Sequence, residues 1–206
     1  MDNRSATRIL AIDEAYSTPT GLAIVEAGQP VFWRSIPPTR ASIARGVRRS
    51  TIRQHLATVF DIYPPDLVVV EQARLFHRGK LNLDTALALT SLITSIEDMC
   101  LDRIIPCYAL NSQDWKYVAV GDRNASKTFT LQCMRALYGP SIKNDGEGDA
   151  IAMGTAAYYH PHLLLDELFW QPSRQPSSTQ KKGSEPRYEQ ISPDTAYASH
   201  KTRSRT

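Results

Sequence analysis

Two short, almost wholly apolar runs constrain the fold of this chain more than any other feature. The run "DLVVVEQ" occupies residues 66–72, and the run "IIPCYAL" occupies residues 104–110. Apolar runs without alternation are typical of strands that are buried on both faces of a sheet, as in parallel sheets covered by helices. A helical pattern from Leu81 to Leu101 separates the two runs. The chain is therefore predicted to contain two parallel central strands joined by a helix.

The N-terminal part of the chain predicts three more strands. The runs "RILAID", "TGLAIVEAG" and "PVFWRSI" follow one another closely with turn signals between them, which favours an antiparallel meander. Helical periodicity then indicates helices from about Arg40 to Phe60, at Ser112–Val120, at Ala125–Tyr138 and from about Asp149 to His160. The predicted fold is α/β, with a mixed five-stranded sheet (three antiparallel strands, then two parallel strands) flanked by helices.

The chain divides by composition into a domain at residues 1–171 and a basic tail at residues 172–206. The tail carries seven Lys and Arg against three Asp and Glu, a net charge of +4, which leaves residues 1–171 with a net charge of −1. Its Pro, Ser, Gln and Lys content predicts disorder. The run "HLLLDELFW", residues 162–170, is interpreted as a short helix packed on the domain. A slightly acidic domain does not by charge alone indicate nucleic-acid binding.

The cysteines and the hydropathy pattern set the expected compartment. Cys100, Cys107 and Cys133 are odd in number and lack the paired spacing of a zinc site, so reduced thiols are expected. No apolar run reaches the ~20 residues of a membrane span or resembles a signal segment. We therefore expect a soluble cytoplasmic protein without a membrane partner.

Carboxylates follow both of the innermost predicted strands and open the last helix. Asp13 ends the first strand, Glu71 ends the fourth, and the run "NDGEGDAIAMG" places Asp145, Glu147 and Asp149 at a helix start. Acids at the ends of neighbouring strands, ~4.8 Å apart, can converge where a helix start faces them. Such a cluster repels itself unless cations bind it, which favours a pair of Mg²⁺ ions. The alternative is that each acid caps a turn or a helix.

Four motifs in this order resemble the RuvC-like Holliday junction resolvases of the RNase H-like superfamily. In that family the acid of the first strand precedes a T-G hairpin, the central strand ends in E-Q, and the last helix begins D-A-L-A-I-A. Here the matching positions are Thr20–Ala23, Glu71 with Gln72, and Asp149–Ala152, after Asp13. The segment "NSQDWKYVAVGDRNASK", residues 111–127, adds the lysine-bearing part. The resemblance extends over roughly residues 8–160.

This resemblance implies a homodimeric endonuclease that cuts branched DNA, four-way junctions, by paired symmetric nicks. It also implies two Mg²⁺ ions, for which Mn²⁺ is expected to substitute, and no nucleotide cofactor. One ion would activate water and the other would stabilise the leaving 3′ oxygen. The catalytic residues that it assigns are Asp13, Glu71, Asp145, Asp149, Lys116 and Lys127, the four acids being the metal ligands.

Two positions depart from the family pattern. The fourth acid of the family generally stands three residues before the last one, but this chain has Gly146 there. Asp145 lies about 40° from Asp149 on an ideal helix, whereas Glu147 lies nearly opposite, so Asp145 is favoured and Glu147 stays open. The family usually has Asp-Pro-Gly or Asp-x-Gly at the first acid, whereas this chain has Asp13-Glu14-Ala15. Glu14 is either an extra ligand or a residue that faces solvent.

Basic residues outside the acidic cluster predict further DNA contacts. Arg45, Arg49 and Arg53 form a stripe on one predicted helix, with Arg48 beside it, which fits a phosphate backbone or a plain solvated face.

The run "ARLFHRGKLN", residues 73–82, is predicted to be a loop beside the metals. Arg74, Arg78 and Lys80 are candidate phosphate contacts. Phe76 is a candidate wedge against a base at the junction centre, unless it is buried in the core.

Three rival functions remain on sequence grounds. An actin-like phosphotransferase would need a second phosphate loop and a longer chain. A junction-binding module without catalysis is disfavoured by the complete set of acids. Another RNase H-like nuclease, specific for RNA–DNA hybrids or for packaging, is opposed only by the lysine-bearing segments and the basic loop.

Overall fold

The computed structural model describes residues 7–15, 18–38, 45–72, 76–77, 80–81, 83–164 and 168–170. The strands are β1 (Arg8–Asp13), β2 (Thr20–Glu26), β3 (Gln29–Ile36), β4 (Leu67–Glu71), β5 (Phe76–His77), β6 (Lys80–Leu81), β7 (Cys107–Leu110) and β8 (Leu168–Trp170). The helices are α1 (Arg45–Ile62), α2 (Leu83–Leu101), α3 (Ser112–Val120), α4 (Lys127–Tyr138) and α5 (Asp145–Tyr159), and a 3₁₀ turn spans Pro161–Leu164.

The main sheet confirms the mixed arrangement and adds one strand to it. Its order is β3, β2, β1, β4, β7, β8. Strands β1, β2 and β3 are antiparallel neighbours, while β1, β4 and β7 run parallel. This is the predicted set of three antiparallel strands followed by two parallel ones. The sixth strand, β8, pairs antiparallel with β7 and protects an edge of the sheet that would otherwise carry unpaired backbone groups.

Two local expectations about secondary structure were wrong. The helix predicted over residues 162–170 is a 3₁₀ turn that ends at Leu164, and β8 follows from Leu168. Pairing with the exposed edge of β7 outweighs the weak helical pattern here. The segment after Glu71 was predicted to be a loop, but it contains the antiparallel pair β5 and β6.

The sheet separates two apolar cores, and this separation decides which residues face the acids. Leu10, Ile12, Val68 and Val70 lie in the core beneath α1 and α2. Their sequence neighbours Ile9, Ala11 and Val69 lie in the opposite core beneath α3, α4 and α5. Successive residues of a strand point to opposite faces, so the apolar run of β4 supplies both cores. This explains why the run lacks alternation.

The start of α5 approaches β2 so closely that only glycine fits between them. A Cβ atom at Gly21 would lie 1.9 Å from the backbone oxygen of Gly146. The T-G motif of the hairpin therefore has a packing reason, since the approach of the two backbones carries the start of α5 onto the sheet.

Replacing Gly21 with alanine is therefore expected to destabilise the protein by more than about 2 kcal/mol, because the clash involves backbone atoms that cannot rotate away. Urea unfolding measures this change. Gly46→Ala is the matched control, since a Cβ there meets nothing within 4 Å and the change lies in α1, so a small gain is expected. Equal stabilities of the two variants would contradict the close approach.

None of the helices in the described part of the chain is both long and apolar enough to cross a membrane. The tail at residues 172–206 lies outside the described residues, so the division of the chain at residue 171 stays a prediction.

Candidate active site

Asp13 and Glu71 lie at the same end of two neighbouring parallel strands. The ladder between β1 and β4 pairs Ile12 with Val70, so the next residue on each strand is an acid. Alternation places both acids on the face of Ala11 and Val69, beneath the C-terminal helices. Asp13 is 3% exposed, and the charge of Glu71 acts on it. The predicted meeting of these two acids is thus supported by the register.

Helix α5 brings Asp149 to the same place. The side chain of Asn144 caps the helix by accepting a hydrogen bond of 3.1 Å from the Glu147 backbone N–H. Asp149 stands one turn inside the helix and is 1% exposed. Its carboxylate lies close enough to act electrostatically on Asp13. Three elements distant in sequence therefore meet at one carboxylate cluster, formed by Asp13, Glu71 and Asp149.

Lys127 binds two members of the carboxylate cluster at once. Its Nζ lies 3.5 Å from Oδ2 of Asp13 and 3.4 Å from Oδ2 of Asp149. The lysine opens α4, where the Ser126 side chain caps the helix by accepting from the Phe129 N–H. The cap fixes the backbone that directs Lys127 toward the acids.

Burial and neighbouring charges shift the pKa values of Asp13, Asp149 and Lys127. Burial raises the pKa of Asp13 to about 8; the ammonium of Lys127 opposes this rise, and the charges of Asp149 and Glu71 increase it. Burial likewise raises the pKa of Asp149, against the influence of Lys127 and Lys116. For Lys127 itself, burial would lower the pKa, but the surrounding carboxylates outweigh it and raise the pKa above its ordinary value. Burial is the largest cause of the rise for both aspartates, so without a bound cation the folded protein favours a protonated Asp13 near neutral pH.

The raised pKa of Asp13 predicts a pH dependence of stability without divalent ions. Asp13 has a higher pKa folded than unfolded, so the folded protein binds more protons between the two values, and the stability contribution of Asp13 is lost as pH rises through about 8. The melting temperature of the wild type minus that of Asp13→Asn is expected to fall by roughly 5 °C between about pH 5 and pH 9. Calorimetry in EDTA measures it, and a difference that stays constant or grows with pH would contradict the buried position of Asp13.

Of the two candidates for a fourth acid, the structure favours Asp145. Glu147 is buried, and its Oε2 accepts a hydrogen bond of 2.8 Å from the Lys143 backbone N–H. This bond, with the Asn144 cap, uses Glu147 to hold the start of α5. Asp145 is exposed, and its charge acts on Asp149. Its role as a ligand stays a prediction.

Lys116 lies near the cluster but is partly engaged elsewhere. Its Nζ donates a hydrogen bond of 3.1 Å to the Ala125 carbonyl and lies 5.4 Å from the centre of the Trp115 ring. Its charge still acts on Asp149. Lys116 therefore supports the loop between α3 and α4 and adds positive potential beside the acids.

The carboxylate cluster has donor atoms of the type that bind magnesium, but its acids do not lie close enough together to surround an ion. Apart from the Lys127 ammonium near both Oδ2 atoms, Oδ2 of Asp13 and both carboxylate oxygens of Asp149 are enclosed without a hydrogen-bond partner within the described part of the chain. Buried oxygens of this kind suit a hard divalent cation. Among the described residues, however, no three Asp, Glu, His or Cys side chains are grouped closely enough to hold a metal ion as they stand. The donors therefore fit Mg²⁺ by their chemistry, and the binding of an ion by them stays a prediction.

The arginine stripe lies on the opposite face of the sheet and contacts α2. Arg49 donates a hydrogen bond of 2.8 Å to Oγ of Ser91, and Arg53 donates one of 3.1 Å to Oγ of Ser95. Both guanidinium groups line a groove of about 520 Å³ between α1 and α2. The side chain of Arg45 lies outside the described residues. DNA binding by the stripe stays a prediction, and packing against α2 accounts for part of its arginine content.

The loop candidates cannot be compared with their expected positions. Arg74 and Arg78 lie outside the described residues, and Phe76 and Lys80 are described only as backbone in β5 and β6. Their DNA contacts stay predictions.

Sequence reasoning missed two buried charged residues beside the cluster. Glu14, predicted to be an extra ligand or to face solvent, is 8% exposed, and Arg48, predicted to lie beside the arginine stripe, is 4% exposed. The Arg48 guanidinium donates hydrogen bonds to the carbonyls of Ala15 and Thr18, in the chain that follows Asp13. One feature of the sequence could have indicated the burial of Arg48. No acid lies near it on α1, so its hydrogen-bond acceptors had to come from another part of the chain.

Comparison with solved structures identifies the fold. The structure of Thermus thermophilus RuvC in complex with a Holliday junction substrate matches with a TM-score of 0.62 and 18% sequence identity, over 76% of this chain and 96% of that one. The chain has the RuvC fold. A second structure of Thermus thermophilus RuvC matches with a TM-score of 0.58 and 17% identity, over 79% of this chain and 99% of that one.

The RuvC fold also relates the chain to a eukaryotic protein. The yeast mitochondrial Holliday junction resolvase Ydc2 matches with a TM-score of 0.50 and 11% identity, over 74% of this chain and 78% of that one. No family model and no curated protein matches the sequence. The expected RNase H-like architecture is therefore confirmed by structural similarity. The sequence identities are low, so the similarity establishes the fold alone.

Proposed function

We propose that this chain is a metal-dependent, structure-selective endonuclease that resolves four-way DNA junctions by paired symmetric nicks. The observation that carries the proposal is the carboxylate cluster with Lys127 between Asp13 and Asp149, at the strand ends of a RuvC fold. A purely structural cluster of buried acids would be satisfied by hydrogen bonds. Here Oδ2 of Asp13 and Oδ2 of Asp149 share a single ammonium, that of Lys127, and Oδ1 of Asp149 is enclosed without a hydrogen bond from the described residues.

The proposed catalytic residues act through charge and position. Asp13, Glu71 and Asp149 would hold two Mg²⁺ ions, with Asp145 as the fourth ligand and Mn²⁺ as a substitute. Bound Mg²⁺ supplies an activated water and stabilisation of the leaving oxygen. Lys127, with its ammonium beside both carboxylates, would reach the oxygens of the scissile phosphate and offset charge there.

The proposed DNA contacts extend beyond the cluster, and they would neutralise phosphates on the arms of the junction. Arg74, Phe76, Arg78 and Lys80 follow Glu71 directly in sequence, which would bring their segment to the junction centre. The remaining proposed contacts are Lys116, Arg45, Arg49 and Arg53.

A homodimer is proposed because symmetric cutting needs two sites. Helix α2 leaves Leu83 59% and Leu87 51% exposed. Leu101, also exposed, is five full turns from Leu83, so all three lie on one side of the helix. Such a stripe fits an isologous contact between two copies of α2.

The direct test offers the purified protein three substrates with Mg²⁺ or with EDTA: a mobile four-way junction, a linear duplex and an RNA–DNA hybrid. Paired symmetric nicks in the junction alone, dependent on Mg²⁺, are expected. Preferential cutting of the hybrid would instead indicate another RNase H-like nuclease. Junction binding without cutting would indicate a catalytically inactive binding module.

A further inference from the structure

Glu14, the residue after the first acid, is a buried carboxylate outside the predicted ligand set. It is 8% exposed, and its Oε2 is enclosed without a hydrogen-bond partner among the described residues. Burying a carboxylate is costly unless its environment stabilises it. Its retention in the fold therefore needs a specific reason.

The Glu14 side chain connects β1 and β4 on the face of the sheet opposite to the carboxylate cluster. Alternation along β1 places Glu14 on the face of Leu10 and Ile12, opposite to Asp13. Burial raises the pKa of Glu14 well above its ordinary value, and the backbone N–H groups of Glu14 and Glu71, which lie near the carboxyl, lower it in part. One side chain thus spans from the end of β1 to the end of β4, where the two proposed ligands stand.

Arg48 fixes the chain on the other side of Glu14. Its guanidinium donates to the carbonyls of Ala15 and Thr18. The hydroxyl of Thr20 also donates to the Ala15 carbonyl at 3.3 Å and accepts from the Ala15 N–H at 3.4 Å. The residues that follow Glu14 are therefore bound by Arg48 of α1 and by Thr20 of β2. These contacts restrict the position of the Glu14 side chain.

We propose that Glu14 is a positioning residue that sets the separation of Asp13 and Glu71 by binding the backbone of Glu71. This inference rests on the proposed nuclease function. A hydrogen-bonded partner behind a metal ligand typically changes metal affinity or activity by about 10–100-fold when it is lost. The length of the Glu14 side chain is what matters in this role, because its carboxyl oxygen must extend from β1 to β4.

Two conservative variants separate the effect of side-chain length from the effect of charge. Glu14→Gln keeps the length and one acceptor oxygen but removes the charge, whereas Glu14→Asp keeps the charge and is shorter by one methylene. A positioning role predicts that Glu14→Gln retains kcat within about threefold of the wild type, while Glu14→Asp loses about 10–100-fold in kcat with unchanged junction affinity. Single-turnover cleavage and equilibrium junction binding measure both quantities.

Calorimetric titration of Mn²⁺ without DNA provides a second readout. Glu14→Asp is expected to bind Mn²⁺ about 10-fold more weakly than Glu14→Gln. Wild-type behaviour of both variants, equal losses in both, or a loss confined to Glu14→Gln would each overturn the inference. If the wild type binds Mn²⁺ but does not cut junctions, the proposed function fails, and the titration still decides the role of Glu14.

Discussion

Replacing Asp13 with asparagine is expected to lower junction cleavage by at least about 10³-fold. The substitution keeps the size of the side chain but removes one of the two charges that flank Lys127. Asp13 is 3% exposed, at the end of β1 and beside β4 and α5. Junction affinity is expected to stay within about threefold, because phosphate contacts by Lys and Arg dominate binding.

Cleavage under single-turnover conditions and binding in a gel-shift assay with Ca²⁺ measure the two effects. Asp61→Asn is the matched control, since Asp61 is an exposed acid at the end of α1, on the other side of the sheet. Cleavage by Asp13→Asn within tenfold of the control would contradict a catalytic role for the cluster.

Replacing Lys127 with methionine is expected to reduce cleavage by about 10²-fold and to make folding depend on divalent ions. The ammonium lies within 3.5 Å of Asp13 and Asp149, so its loss leaves two buried carboxylates to repel each other. Half of the Lys127 side chain is exposed, which limits the loss of stability. A bound divalent cation would restore the missing positive charge.

Melting temperatures of Lys127→Met with EDTA and with Mg²⁺ test this restoration. The variant is expected to melt below the wild type in EDTA and to regain most of the difference in Mg²⁺. Lys143→Met, which removes an exposed lysine, is expected to melt like the wild type in both. A melting temperature of Lys127→Met that Mg²⁺ does not raise would contradict the place of the lysine beside a metal site.

The main features of the fold follow from sequence because they depend on local pattern. The apolar runs of β4 and β7 require a sheet covered on both faces, and the spacing of the first three strands requires a meander. The edge strand β8 could not be predicted, because its three residues are stabilised by pairing with β7 rather than by a pattern of their own.

The proximity of three acids could be predicted from sequence, but the surroundings of Glu147 and Glu14 could not. Strand ends and a helix start brought Asp13, Glu71 and Asp149 together as expected. The commitment of Glu147 to the helix cap and the burial of Glu14 depend on tertiary contacts that no spacing encodes. Arg48 illustrates the same limit, since its sequence neighbours on α1 are exposed and its guanidinium donates to carbonyls in the chain after Asp13.

The central claim is that Asp13, Glu71 and Asp149 bind divalent metal as one site. Calorimetric titration of Mn²⁺ into the wild type and into Asp13→Asn, Glu71→Gln and Asp149→Asn, without DNA, tests it most directly. We expect binding by the wild type and a loss of at least about 10-fold in affinity in each variant. Binding that is absent from the wild type, or unchanged in all three variants, would contradict the account.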